Sequence, residues 1–211
     1  MTQNISQEIS PAPGIAITPA GEQDKCFIAC PIFEKELRAV LGLLAETPAI
    51  RYMHYSIHNN PSVMENELST HVEQARAAGE EVRFLVGKNC KGKRDIMEIA
   101  EGCSGKVPRA RNCIEMLVGR EKTRELQQNR TSVMTPAWIS MINQSIRDDQ
   151  WTVEDARINL GWYNQVLILD TGVEPLDDEM IMEFFDLIQV PIDILPVELD
   201  HFCGVVSDLL Q

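Results

Sequence analysis

No C-x-x-C pair occurs among the six cysteines of this 211-residue chain, so neither a zinc ribbon nor a thioredoxin-type redox pair is encoded. No stretch approaches the roughly 20 consecutive apolar residues of a membrane span. Basic residues are scarce: 19 Lys and Arg stand against 32 Asp and Glu, a formal net charge of −13. A chain this acidic offers no broad basic face, so neither nucleic acid nor an anionic membrane is expected as a partner. Gly87, Gly92, Gly102 and Gly105 build no dinucleotide fingerprint and no phosphate loop, which disfavours nucleotide binding. A serine nucleophile elbow is also missing, and that weighs against a hydrolase.

The opening residues, MTQNISQEISPAPGIAITPAGEQ, lack the basic start and long apolar run of a secretory signal. Rich in Ser, Thr, Pro and Gln, residues 1–23 read as a flexible leader. The expected location is therefore cytoplasmic, where thiols stay reduced and a disulfide framework is not expected. Six cysteines must then be apolar filling, metal ligands or reactive thiols.

With 44% hydrophobic residues the chain has enough apolar surface for a substantial core, and residues 24–211 are expected to form one domain. From Lys25 onward, short apolar runs alternate with helical spacing. KCFIACPI, RYMHYSIH, EVRFLVG, NQVLILDTG and PIDILPVEL read as strands, with a short strand around KVPRA. Between them, FEKELRAVLGLLAE, PSVMENELSTHVEQARAAG, RDIMEIAEG, TPAWISMINQSI, TVEDARINLGWY, DDEMIMEFFDLIQ and DHFCGVVSDLL read as helices. Thr135 and Thr152 stand where caps belong. Strands alternating with helices predict an α/β fold: an open, mostly parallel, doubly wound (Rossmann-like) sheet with helices on both faces.

In such sheets ligands bind beyond the carboxyl ends of the strands. Cys30 ends the first strand, His58 the second, and the third runs into Cys90. Cys113 follows the KVPRA segment, in the first turn of a helix that Asn112 can cap while Glu115 returns the bond. A helix start lowers a thiol's pKa, which makes Cys113 a candidate nucleophile. Cys30, Cys90, Cys113 and His58 are together a candidate metal set: three thiolates and an imidazole suit zinc, and an iron–sulfur cluster is the alternative. Glu115 and Asp170 are further catalytic candidates, although Asp170-Thr171-Gly172 also has the composition of a plain turn. Cys26, Cys103 and Cys203 read as packing residues. Trp138, Trp151 and Trp162 fit a core or a pocket wall.

NCIEMLVGREK, TPAWISM and the run from DARINLGWY to QVPIDI resemble the signature blocks of an uncharacterised domain-of-unknown-function family (number 1638) of methanogenic archaea and anaerobic bacteria. IACPIFEKEL resembles that family's opening strand, and the resemblance covers about residues 25 to 210. It implies Cys30, Cys90 and Cys113 as the family's cysteine positions, accompanied by Glu36, Asn112, Glu115, Trp138 and Asp170. Pro31, where a small residue is common, and the basic KGKRD after Cys90 depart from the pattern. Some members occur in organisms that use corrinoid-dependent methyl transfer. The resemblance therefore implies a metal-binding enzyme or accessory factor of anaerobic one-carbon metabolism, with a small-molecule substrate or a corrinoid or methyltransferase protein as partner. The alternatives are a metal-independent thiol or small-molecule-binding protein, or a non-catalytic partner of a methyltransferase. The sequence sets no oligomeric state.

Overall fold

The computed structural model describes residues 25–54, 61–90, 94–148, 151–173 and 176–211. The leader and His58 lie outside the described residues. The fold is α/β with parallel strands and helices around them, as the alternation predicts. Among the described residues the strands form two parallel three-stranded sheets rather than one continuous sheet.

The first sheet has β1 (Lys25–Ala29) at its centre, between β2 (Ala49–Tyr52) and β3 (Glu81–Leu85). Ile28 pairs with Arg51 on one side and Phe84 on the other. Four of the five β1 residues are buried, because helices cover both faces of a parallel strand. In the second sheet β5 (Gln165–Asp170) lies between β4 (Thr131–Met134) and β6 (Ile192–Pro196). The strand expected around KVPRA is reduced to one bridge, Arg83 to Lys106. Pro108 accounts for this, since it has no N–H to extend a ladder.

The helices bury the stripes that their spacing predicts. In α1 (Glu34–Leu44) these are Leu37, Val40 and Leu41, and the helix stops at Ala45 with φ 55°. Next come α2 (Pro61–Ala77), α3 (Ile96–Gly102), α4 (Cys113–Val118) and α5 (Arg120–Leu126). The second half holds α6 (Pro136–Arg147), α7 (Val153–Leu160), α8 (Asp178–Ile188) and α9 (Asp200–Leu210). Thr152 caps α7 through a complete capping box with Asp155. Thr135 stands at the cap position of α6 but makes no side-chain cap bond, so that expectation holds only in place.

Helix α9 follows the second sheet in sequence yet packs on the first, against α1, α4 and β3. Phe202 of α9 stacks on Phe33 with ring centroids 4.8 Å apart. The buried Arg83 of β3 donates from Nε to the Leu209 carbonyl at 2.6 Å. Val133, Met141 and Leu169 of the second half join the apolar cluster built on the first sheet. The carboxyl ends of β1 and β5 are thereby brought to one crevice. Among the described residues no helix is long and apolar enough to cross a membrane.

Candidate thiol site

Three chain segments deliver Cys30, Cys90 and Cys113 to one place. Cys30 directly follows β1, and its N–H donates to the Leu85 carbonyl at 3.2 Å, so β3 holds it in line. Pro31 then turns the chain into a single 3-10 turn (Pro31–Phe33), and Cys30 is left 3% exposed. Cys90 closes a tight turn after β3, its N–H bonded to the Gly87 carbonyl at 3.0 Å. That turn is fastened to the segment preceding α4: Lys88 N–H donates to Ala110 O at 3.1 Å and Asn89 N–H to Arg111 O at 2.8 Å. Gly87 makes the approach possible. A Cβ there would lie 2.6 Å from both the Arg111 oxygen and the Asn112 Cα. Cys113 comes next in that segment, as the first residue of α4.

The sulfurs feel one another. A charge on Cys113 or Cys90 raises the pKa of Cys30, and a charge on Cys90 raises that of Cys113. N–H groups also converge on them: Ile32 N–H on Cys30, Gly87 N–H on Cys90, and the Ile114 N–H with the Trp138 indole on Cys113. These donors favour thiolates, but burial is the larger effect at all three positions. Burial pushes the Cys113 thiol up to about 11 and that of Cys30 well above its ordinary value, and it raises Cys90 as well. The helix start was expected to lower the pKa of Cys113. It is outweighed, because α4 spans only six residues and desolvation of this partly buried thiol is the larger effect.

Among the described residues no group of three or more His, Cys, Asp or Glu side chains stands ready to hold a metal ion. His58, the proposed fourth ligand, lies outside those residues. The remaining thiols stand apart from the trio. Cys26 is fully buried beside the Arg51 guanidinium, and Cys103 donates to the Ala100 carbonyl at 3.5 Å. Cys203 packs at the edge of the core on α9.

A cavity of about 250 Å³ opens at the turn that follows Cys30, lined by Pro31, Ile32, Glu36, Pro136, Ser140 and Thr171 among others. It sits where the loop after β1, the loop after β5 and the start of α6 meet. Helix α6 serves both places, since Trp138 reaches Cys113 while Pro136 and Ser140 line the cavity. Glu36 is 6% exposed, and its Oε1 accepts from Thr171 Oγ1 at 3.0 Å. Thr171 was not singled out by sequence reading. The partners are 135 residues apart, and only the threonine in a turn-like triplet hinted at it. Thr135 reads as a cap in the sequence; its hydroxyl is buried at the end of β4 without a hydrogen-bond partner among the described residues.

The other two carboxylate candidates are committed to local structure. Asp170 Oδ1 accepts from Gly172 N–H at 2.9 Å, and Gly172 has φ 67°, so Asp170 fastens the turn. The capping box at α4 is half formed. Asn112 Oδ1 accepts from Glu115 N–H at 2.9 Å, while Glu115 turns to Arg111, accepting its backbone N–H at 2.8 Å and its Nε at 2.7 Å. Arg111 holds the Glu115 carboxyl below the usual carboxylate range.

Over residues 52–205 the chain matches the family described as "Protein of unknown function (DUF1638)", and it belongs to that family. Cys90, Cys113, Glu115, Trp138 and Asp170 fall within the matched span, and Cys30 precedes it. No curated protein and no solved structure matches significantly.

Proposed function

We propose that this member of the DUF1638 family binds a thiophilic metal ion of the zinc class through Cys30, Cys90 and Cys113. The observation that carries the reading is the convergence of three thiols from separate segments, with N–H donors aimed at each sulfur. N–H groups directed at sulfur orient thiolate ligands and tune the metal they bind. Capture requires the side chains to turn toward a common centre and give up their protons, as thiol ligation always does. His58 or a substrate atom completes the shell. An open fourth position gives Lewis-acid chemistry or a metal-bound thiolate able to accept an alkyl group. The crevice at the turn after Cys30 is the entry for a small-molecule substrate, with Glu36 and Thr171 as its polar contacts.

The wider setting follows from the resemblance alone. We place the protein in the cytoplasm, in anaerobic one-carbon metabolism, with a corrinoid or methyltransferase protein as partner. Metal analysis with an absorption spectrum, on protein purified without oxygen or an affinity-tag histidine, tests the core reading. About one equivalent of zinc is expected for such a site, lost when all three cysteines become serine. Iron with sulfide, visible as a brown colour, assigns the iron–sulfur alternative instead. Protein that holds no stoichiometric metal, and takes up none when zinc is added, refutes both.

A further inference from the structure

A second cavity, of about 710 Å³, opens on the far side of the Cys113 segment, between residues 106–111 and α9. Its volume is in the range of small-molecule sites, about 300–1,000 Å³. The charge of its lining is opposite to that of the protein. In a chain with net charge −13, Lys106, Arg109, Arg111 and Arg120 all line this one pocket. The side-chain carboxylates in the lining are Glu115 and Asp208, Gln211 also stands in the wall, and Glu115 is already engaged by Arg111. Lys106 and Arg109 make no side-chain hydrogen bond or ion pair among the described residues. The buried Pro108 and Leu209 give the pocket an apolar floor.

The backbone under these cations is fixed. Lys106 N–H donates to Val82 O at 3.1 Å, and Lys106 O accepts from Phe84 N–H at 2.8 Å. At the other end, Ala110 O and Arg111 O accept from the turn after β3 at 3.1 and 2.8 Å. Pro108 stiffens the span between. With the backbone pinned, an arriving anion has to order only the side chains and not the loop that carries them.

We propose that this pocket binds a small polyanion, a molecule carrying two or more phosphate or carboxylate groups. The guanidinium forks of Arg109 and Arg120 grip the oxyanions, and Lys106 adds a point charge. The site shares no residue with the thiol trio, and it stands whether or not a metal is bound there.

Calorimetric titration of the full chain as purified, at low salt, with tripolyphosphate and separately with citrate, tests it. Saturable binding of at least one is expected, weakening as salt rises. Preference for tripolyphosphate assigns an oligophosphate ligand, and preference for citrate a polycarboxylate. The Lys106→Gln/Arg109→Gln double variant, altered only at exposed side chains, should bind about tenfold more weakly or worse. Arg147→Gln on the distant α6 should bind as the parent does. Failure of both polyanions to bind at about 1 mM under weak screening, or equal affinity in the double variant, overturns the proposal.

Discussion

Replacing Gly87 by alanine isolates the contact that brings Cys90 to Cys113. The added Cβ would lie 2.6 Å from Arg111 O, 2.6 Å from Asn112 Cα and 2.8 Å from Asn112 N. All three are backbone atoms, so no flexible side-chain end can swing away. Relief requires the turn after β3 to separate from the segment entering α4, stretching the Lys88–Ala110 and Asn89–Arg111 hydrogen bonds. Forced overpacking of this kind costs about 1–3 kcal/mol. For a domain of this size that lowers Tm by roughly 2–12 °C. The control is Gly42→Ala in α1, where nothing lies within 4 Å of the new methyl group. An exposed helical glycine gains up to about 1 kcal/mol on that change, so Tm should hold or rise.

Two assays separate stability from the site. Thermal melting reads the strain. Zinc affinity by competition with a chromophoric chelator reads the distance between the thiols. Gly87→Ala should lose affinity at least tenfold even well below its own Tm, because a thiolate held about 1 Å out of place cannot complete the coordination shell. Gly42→Ala should leave affinity unchanged. If Gly87→Ala matches the parent in both assays, the close approach is not what builds the site, and the reasoning fails.

The metal-free Cys113 thiol, pushed up to about 11 by burial, should alkylate roughly a hundredfold more slowly near neutral pH than an ordinary thiol. Mass-resolved iodoacetamide labelling checks this, and labelling at the ordinary rate would favour the nucleophile reading instead. Cys26 is likewise pushed up to about 11 by its burial. The fold favours its neutral form, so its contribution is complete below the ordinary thiol value and is lost as pH rises towards about 11. Cys26→Val should therefore flatten the alkaline arm of the stability curve. Glu115 has the opposite sign: Arg111 lowers its pKa, so its contribution is present above the ordinary carboxylate value and fades as pH falls through the folded one. Glu115→Gln should cost about 1 kcal/mol at neutral pH, allowing for the half-exposed Arg111, and nothing at acid pH in urea unfolding. Thr171→Val removes a donor from the buried Glu36 and should cost about 1–2 kcal/mol, and Thr171→Ser should restore it.

Most helices and strands are legible because their apolar spacing matches a single period; α5 (REKTREL), with one apolar residue, is not. Leu37, Val40 and Leu41 of α1, and the unbroken apolar run of β5, are clear cases. β4 was missed: its four residues, TSVM, are too short to show a period, and polar residues precede it. The division into two sheets was also not legible, because strand order is set by long-range packing, such as α9 returning to the first sheet. At the site, the strand-end rule found Cys30 and Cys90. It did not find Gly87, whose importance depends on a backbone remote in sequence, or the Thr171–Glu36 bond.

The pKa directions at the trio also bear on which chemistry the site is built for. A nucleophilic cysteine needs one thiolate near neutral pH, with water access and a base. Here burial raises all three thiols; a Cys90 thiolate would raise Cys30 and Cys113 further, and a Cys113 thiolate would raise Cys30. The N–H donors at the sulfurs oppose that rise without overcoming it. A divalent cation changes the balance, since it supplies the opposing charge that burial otherwise denies and lets all three protons leave together. Under the proposed function, donors too weak to ionise one thiol would orient three bound thiolates. That balance favours the proposed metal site over a lone nucleophile.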